Sequence, residues 1–223
     1  MGKTQTGICT YCGVESQVTD DHIPPRSIFP KQNRKDVNLI TVPACLCCNN
    51  GAKDDDEEFK VFVSMCAGRD GETRNQLLES VVRTIAKNQR LKRKIIERTA
   101  EPFTPLTGWS TRLGVYSVAW ETQAARRVIA RTIRGLYFHH YRTRLPKDVA
   151  VEIHFPEEIP EPVAAGFLEF YRGFAAAASR SRIGNKKEFL YLHGKARDNE
   201  HCSFWVLVFY ERLCTFGFTG NFL

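Results

Sequence analysis

No apolar run in the 223-residue chain approaches the roughly 20 residues needed to span a bilayer, so a membrane partner is not expected. Residues Met1 to Thr6 contain no apolar signal core, and a cytoplasmic protein is the expectation. Internal repeats and low-complexity tracts are also missing, which excludes solenoid and fibrous architectures. Acidic residues are absent between Glu121 and Asp148, the most one-sidedly basic stretch. The whole chain carries 32 Lys and Arg against 25 Asp and Glu, a formal charge of +7 that is compatible with nucleic acid as partner.

Cysteine, by contrast, is plentiful, with eight residues. In a chain without a signal core, disulfides are not the expected use of them. Four fall in two Cys-x-x-Cys pairs, Cys9/Cys12 and Cys45/Cys48. Thiolates two residues apart reach one tetrahedral ion, and Gly13 tolerates the positive φ that such a turn often needs. A closed four-thiolate zinc site is therefore expected, structural rather than catalytic. Cys47 is a possible substitute ligand, but the spacing of the first pair favours Cys45 and Cys48. Cys66, Cys202 and Cys214 lie in apolar surroundings and read as buried core thiols.

Hydrophobic residues make up 43% of the chain, enough at this length for a core that does not depend on metal. Residues 1–8 read as a loose lead-in. Asn38–Pro43 reads as a short strand ending at the proline. A helix is expected to begin between Asn49 and Asp54, with Phe59, Phe62, Val63 and Cys66 on its apolar face. The acidic run Asp54–Glu58 suits its positive N-terminal end, as a solvated face. A second, longer helix is expected over 72–98 and a third over Gln123–Tyr137. Arg83, Lys87, Arg90, Lys94 and Arg98 line one face of the second, and Arg127, Arg131 and Arg134 one face of the third. Either face reads as solvated or as contacting phosphates.

Glu101–Pro105 breaks the pattern, and Leu113–Trp120 is strand-like. Val149–Phe155 is expected as a strand and Val163–Ala178 as a helix. Glu188–Leu192, Ser203–Tyr210 and Leu213–Phe218 are expected as closing antiparallel strands. The fold class is thus α+β: a metal module over residues 1–68 and a helical and antiparallel-sheet body over 69–223. The boundary lies near Gly68–Gly71, unless the two parts share a core.

Between the cysteine pairs lies Asp21-His22-Ile23-Pro24-Pro25, followed by Asn38-Leu39, and Cys48 runs straight into Asn49-Asn50-Gly51-Ala52-Lys53. In this order of elements the first quarter of the chain resembles the HNH endonucleases of the ββα-metal type. The resemblance implies a hairpin and helix gripping one divalent ion, with His22 as general base and Asn38 fixing the loop that carries it. Asp21 and Asn49 would bind the catalytic metal, with Asn50 as the competing amide and Asn49 standing where many members have His. Such sparse oxygen ligation suits Mg²⁺ or Mn²⁺. One of the acidic residues 54–58 could add an outer-sphere carboxylate. Arg26, Lys31, Arg34, Lys35 and Lys53 are the expected contacts to nucleic acid, DNA by preference. His139 and His140 read as packing or phosphate-contacting residues. The rival readings are a zinc-stapled nucleic-acid-binding module without catalysis, and a nuclease effector gated by a ligand or partner on the body.

Overall fold

The computed structural model describes residues 5–32, 34, 37–67, 72–100, 117–118, 122–183 and 188–220, with the side chains of 72–74, 100 and 117–118 excepted. Gln5–Ile8 is not a loose lead-in but strand β1, paired antiparallel with β2 (Glu15–Ile23). The turn between them is the first cysteine knuckle. Cys9 N–H donates to Val14 O (3.0 Å), Gly13 N–H donates to Cys9 O (3.0 Å), and Gly13 takes φ +76°. The zinc motif therefore doubles as the hairpin turn, which pulls the polar Gln5-Thr6-Gly7 into a sheet.

Strand β3 (Ile40–Cys45) pairs antiparallel with β2 and runs through Pro43 instead of stopping there. It is an outer strand of the β1-β2-β3 sheet, where a missing N–H is tolerated. The one-turn helix α1 (Leu46–Asn50) follows, and after Gly51 comes α2 (Lys53–Cys66), starting within the expected window.

The expected second helix is two, α3 (Glu72–Lys87) and α4 (Gln89–Arg98). Asn88 separates them because its Oδ1 accepts the Leu91 N–H (3.0 Å), an N-cap within an otherwise continuous apolar pattern. Two short strands, β4 (Thr99–Ala100) and β5 (Ser117–Val118), pair with each other. The expected Glu101–Pro105 break and the rest of Leu113–Trp120 lie outside the described residues, as do Gly68 and Gly71.

Helix α5 (Gln123–Tyr141) extends one turn further than expected and ends at Arg142, which has φ +54°. Then come β6 (Ala150–His154), α6 (Glu161–Ala177), β7 (Ser179–Ile183), β8 (Phe189–Lys195), β9 (Ser203–Phe209) and β10 (Leu213–Gly220). These five strands form an antiparallel sheet in the order β6-β10-β9-β8-β7. The chain is α+β, and no helix among the described residues is long and apolar enough to cross a membrane.

Alternation along β9 divides the body. Trp205, Leu207 and Phe209 join one core with α5, while Phe204 and Val206 join another with Phe167, Tyr171 and Phe174 of α6. The first core does not stop at the metal module. It contains Ile23, Ile28, Phe29 and Val42 together with Phe59, Ile133 and Phe209, with the Phe59 and Phe209 rings 5.3 Å apart in an edge contact. Tyr210 O–H also donates to Ile28 O (2.7 Å), so module and body are welded through apolar packing and this bond. Cys66, Cys202 and Cys214 are only partly buried, Cys66 against the first core and Cys214 against the second.

Helix α5 lies between the two sheets, and two glycines permit the approach. A Cβ at Gly135 would meet Ile23 Cδ1 at 1.9 Å, and one at Gly217 would meet Ile133 Cδ1 at 2.2 Å. Ile23 is fully packed and cannot retreat. Gly135→Ala is therefore expected to destabilise the protein by about 1–3 kcal/mol despite its gain in helix propensity, read as a lower midpoint in urea unfolding.

Candidate functional site

The closure of the N-terminal motif is visible in its sulfurs. Cys9, Cys12, Cys45 and Cys48 place their Sγ atoms within 4.8 Å of one another, and Cys12 and Cys45 stand 3.8 Å apart. Tetrahedral zinc with Zn–S of about 2.3 Å requires sulfurs about 3.8 Å apart, so the donor set fits that ion in both type and spacing. Cys45 Sγ accepts the Cys48 N–H (3.4 Å), the second knuckle, which also starts α1. Cys47 is exposed and outside the cluster. Burial resists ionisation of Cys9, yet backbone N–H groups of Cys12, Cys45 and Tyr11 bring its pKa down to about 7. Burial and neighbouring thiols push Cys48 up. A dication among the four sulfurs would ease that crowding.

The staple sets α1 against β2. Asn49 Nδ2 donates to Thr19 Oγ1 (3.0 Å), and Thr19 lies two residues before Asp21 on the same strand face. Asn49 thus stands over the face of β2 that carries Asp21, at Thr19, which is about 7 Å from Asp21 along the strand at its ordinary rise. Asp21 is buried, and its Oδ2 accepts the Tyr11 O–H (2.6 Å). Tyr11 belongs to the first knuckle, so the turn that carries two of the four thiols also positions a donor on the carboxylate. Arg131 of α5 completes the arrangement, with Nε 3.9 Å from Asp21 Oδ2 and Nη2 2.5 Å from Asp56 Oδ1.

Burial raises the Asp56 carboxyl and Arg131 offsets part of the rise, leaving it at about 6 and mostly ionised at neutral pH. Burial also works against the Arg131 charge, but Asp56 and Asp21 more than offset it. Arg131 Nη1 is buried without a hydrogen-bond partner among the described residues. The oxygens of Asp21 and Asn49 suit a hard divalent ion in type. With Arg131 against Asp21, however, an incoming ion would have to displace that guanidinium.

His22 alternates to the opposite face of β2 from Asp21 and pairs across to Thr41. It sits at the end of the strand, half-buried. Burial, and after it the Arg26 charge, lowers its pKa, so the imidazole is neutral at pH 7 and able to accept a proton. Strand β1 pairs with β2 only as far as Val18, so Thr19–Ile23 has no strand neighbour on that side among the described residues. Asn38 is exposed, two residues before β3. Arg26, Lys31 and Lys53 are exposed, and Arg34 is half-buried with its Nε donating to Phe29 O (2.9 Å). Lys35 lies outside the described residues.

Two charged features differ from the sequence reading. Only Asp54 of the acidic run is exposed to solvent, and every member has a partner within the protein. Asp54 pairs with Arg90, Asp55 with Arg127, Asp56 with Arg131 and Glu58 with Lys94, while Glu57 accepts from Asn88 Nδ2. The arginines of α5 are likewise spent inside the protein. Arg134 donates to the carbonyls of Leu145, Pro146 and Val149, and Arg126 to Ile153 O and Glu158. His139 and His140 lie within α5. His140 Nε2 is 2.8 Å from Tyr191 Oη and its ring stacks on His193 at 4.0 Å, a packing role. Tyr11, Thr19 and Arg131 escape sequence reasoning. Only Tyr11 carries a local signal, as an aromatic between two zinc thiols.

No protein-family model, curated protein or solved structure matches the chain.

Proposed function

We propose that the chain is a metal-dependent HNH endonuclease acting on DNA. One observation carries this reading. The cysteine staple sets Asn49 beside Thr19 on the face shared with Asp21, on the strand end paired by β3 alone, where a neutral imidazole stands near Arg26 and Arg34. Zinc would hold the module's shape through Cys9, Cys12, Cys45 and Cys48. Asp21 and Asn49 would hold Mg²⁺ or Mn²⁺, with Arg131 yielding Asp21 while keeping Asp56. That ion supplies charge to a phosphate oxygen, a Lewis-acid contribution of several kcal/mol.

The chain's own residues do the rest. His22, uncharged at working pH, takes the proton of the attacking water as general base. Burial, and after it Arg26, keeps it uncharged, and Arg26 and Arg34 attract the phosphodiester to the same spot. Asn38, at the entry to β3, positions the loop that follows His22, and Lys31, Lys35 and Lys53 bind flanking phosphates. The test is nicking of supercoiled plasmid by the zinc-loaded protein with Mg²⁺ or Mn²⁺, in parallel with His22→Ala.

The Arg131–Asp21 contact favours a second reading, a zinc-stapled DNA-binding module without catalysis. It expects salt-sensitive DNA binding and no cutting with any divalent ion.

A further inference from the structure

Between α2 and α3 opens a cleft of about 620 Å³. Six cations line it: Lys31 and Arg34 from the loop after β2, Lys53 and Lys60 of α2, and Arg83 and Lys87 of α3. Among the described residues only two carboxylates face them, and Glu57 is the one whose charge supports the Lys60 ammonium. Asp54 pairs with Arg90 (2.6 Å), and Glu57 accepts the Asn88 amide (2.6 Å). Among the described residues, none of the six cations makes a salt bridge.

Lys60 is the most telling of the six. It is 5% exposed, yet its ammonium bonds only neutral oxygens, Ser80 O (2.9 Å) and Thr84 Oγ1 (2.8 Å). An ammonium has three donors, so one remains unassigned. Burial, and next the Arg34 charge, brings its pKa down to about 8. Holding a desolvated cation among other cations is costly unless an anion completes the set.

Among the described residues the cleft wall has no aromatic ring and no Val, Leu, Ile or Met side chain, only charged residues with Ser80, Thr84, Asn88 and Gln89. A nucleobase would find nothing to stack on, whereas phosphate oxygens would find donors throughout. The cleft also adjoins the candidate site, because Lys31 and Arg34, which line it, belong to the loop that leaves β2 directly after His22. We infer that this cleft is a backbone-phosphate track, holding the phosphodiesters of a nucleic-acid strand whose scissile bond lies at His22. The choice of a strand as ligand rests on the nuclease reading, but its test does not involve cleavage.

Full-length, zinc-loaded His22→Ala protein is titrated into a labelled DNA oligonucleotide, single-stranded and duplex, without Mg²⁺ or Mn²⁺ and over a range of salt. Adding Arg83→Ala and Lys87→Ala, both at exposed positions, is expected to weaken binding about tenfold or more and to reduce the log–log salt slope by about 1.5 to 2. Lys60→Met is expected to weaken binding as well; should it fail to fold, the exposed pair decides. Arg180→Ala with Arg182→Ala, on β7 outside the cleft, serves as the control and is expected to match the parent. The inference is overturned if the Arg83/Lys87 variant keeps the parent's affinity and slope. It is equally overturned if tripolyphosphate binds the cleft while DNA does not, which would make this a site for free polyphosphate. Absence of plasmid nicking by the wild type would sink the nuclease reading and leave this result standing.

Discussion

Replacing His22 with alanine is expected to lower Mg²⁺- or Mn²⁺-dependent plasmid nicking by about 10²–10⁴-fold, the range for loss of a general base. Zinc content and thermal midpoint should stay close to wild type, because the ring is only half-buried and stands at the end of its strand. The pH profile gives a second readout. The base works when unprotonated, and burial lowers the His22 pKa below its usual 6.5. Activity should therefore climb with pH through a midpoint below that value and level off above it. In His22→Ala this acid limb should vanish with the rate. Equal background cutting by both proteins would remove the catalytic role.

The second large effect concerns the staple. Purified protein is expected to carry about one zinc per chain, and Cys48→Ser to carry almost none. Structural zinc in small modules contributes on the order of 10 kcal/mol. Here part of that stability comes instead from Ile23, Ile28 and Phe29, which sit in the core shared with α5 and the large sheet. The expected loss is accordingly about 5 kcal/mol, or about 10–20 °C in thermal midpoint for a chain of this size. The body should stay folded while nicking is lost, since α1 no longer holds Asn49 on Thr19. Cys47→Ser, at an exposed position outside the cluster, should keep its zinc and shift stability by no more than about 0.5 kcal/mol. Zinc analysis and calorimetry of the two variants separate the ligand from its neighbour.

How far the sequence could be read depended on how local each feature was. The zinc set was legible because ligand spacing within each pair is a property of one turn. Helix α6 and strands β8, β9 and β10 were legible because their own apolar pattern specifies them. Strands β1 and β7 were not, since Gln5-Thr6-Gly7 and Ser179-Arg180-Ser181-Arg182 are polar and owe their conformation to the strands they pair with. The split at Asn88 was hidden because its side-chain cap interrupts no apolar repeat.

Charge was the least legible property. Arg127 and Arg131 are satisfied by Asp55 and Asp56, 72 and 75 residues away, and a helix face so paired reads in sequence like one open to solvent. The same long-range pairing conceals the role of the acidic run. At the candidate site the sequence supplied Asp21, His22 and Asn49. It could not show that Arg131 arrives from the body to stand against Asp21, because that contact exists only once α5 packs on β2.

That contact makes Mn²⁺ binding the most direct measurement of the central claim. Zinc-loaded protein is titrated with Mn²⁺ while free Mn²⁺ is followed by its electron paramagnetic resonance signal. About one ion should bind per chain in the wild type and in His22→Ala, and binding should be lost in both Asp21→Ala and Asn49→Ala. Wild-type protein that takes up no Mn²⁺, or takes it up unchanged when Asp21 and Asn49 are replaced, would contradict the assignment of these two residues to a catalytic metal.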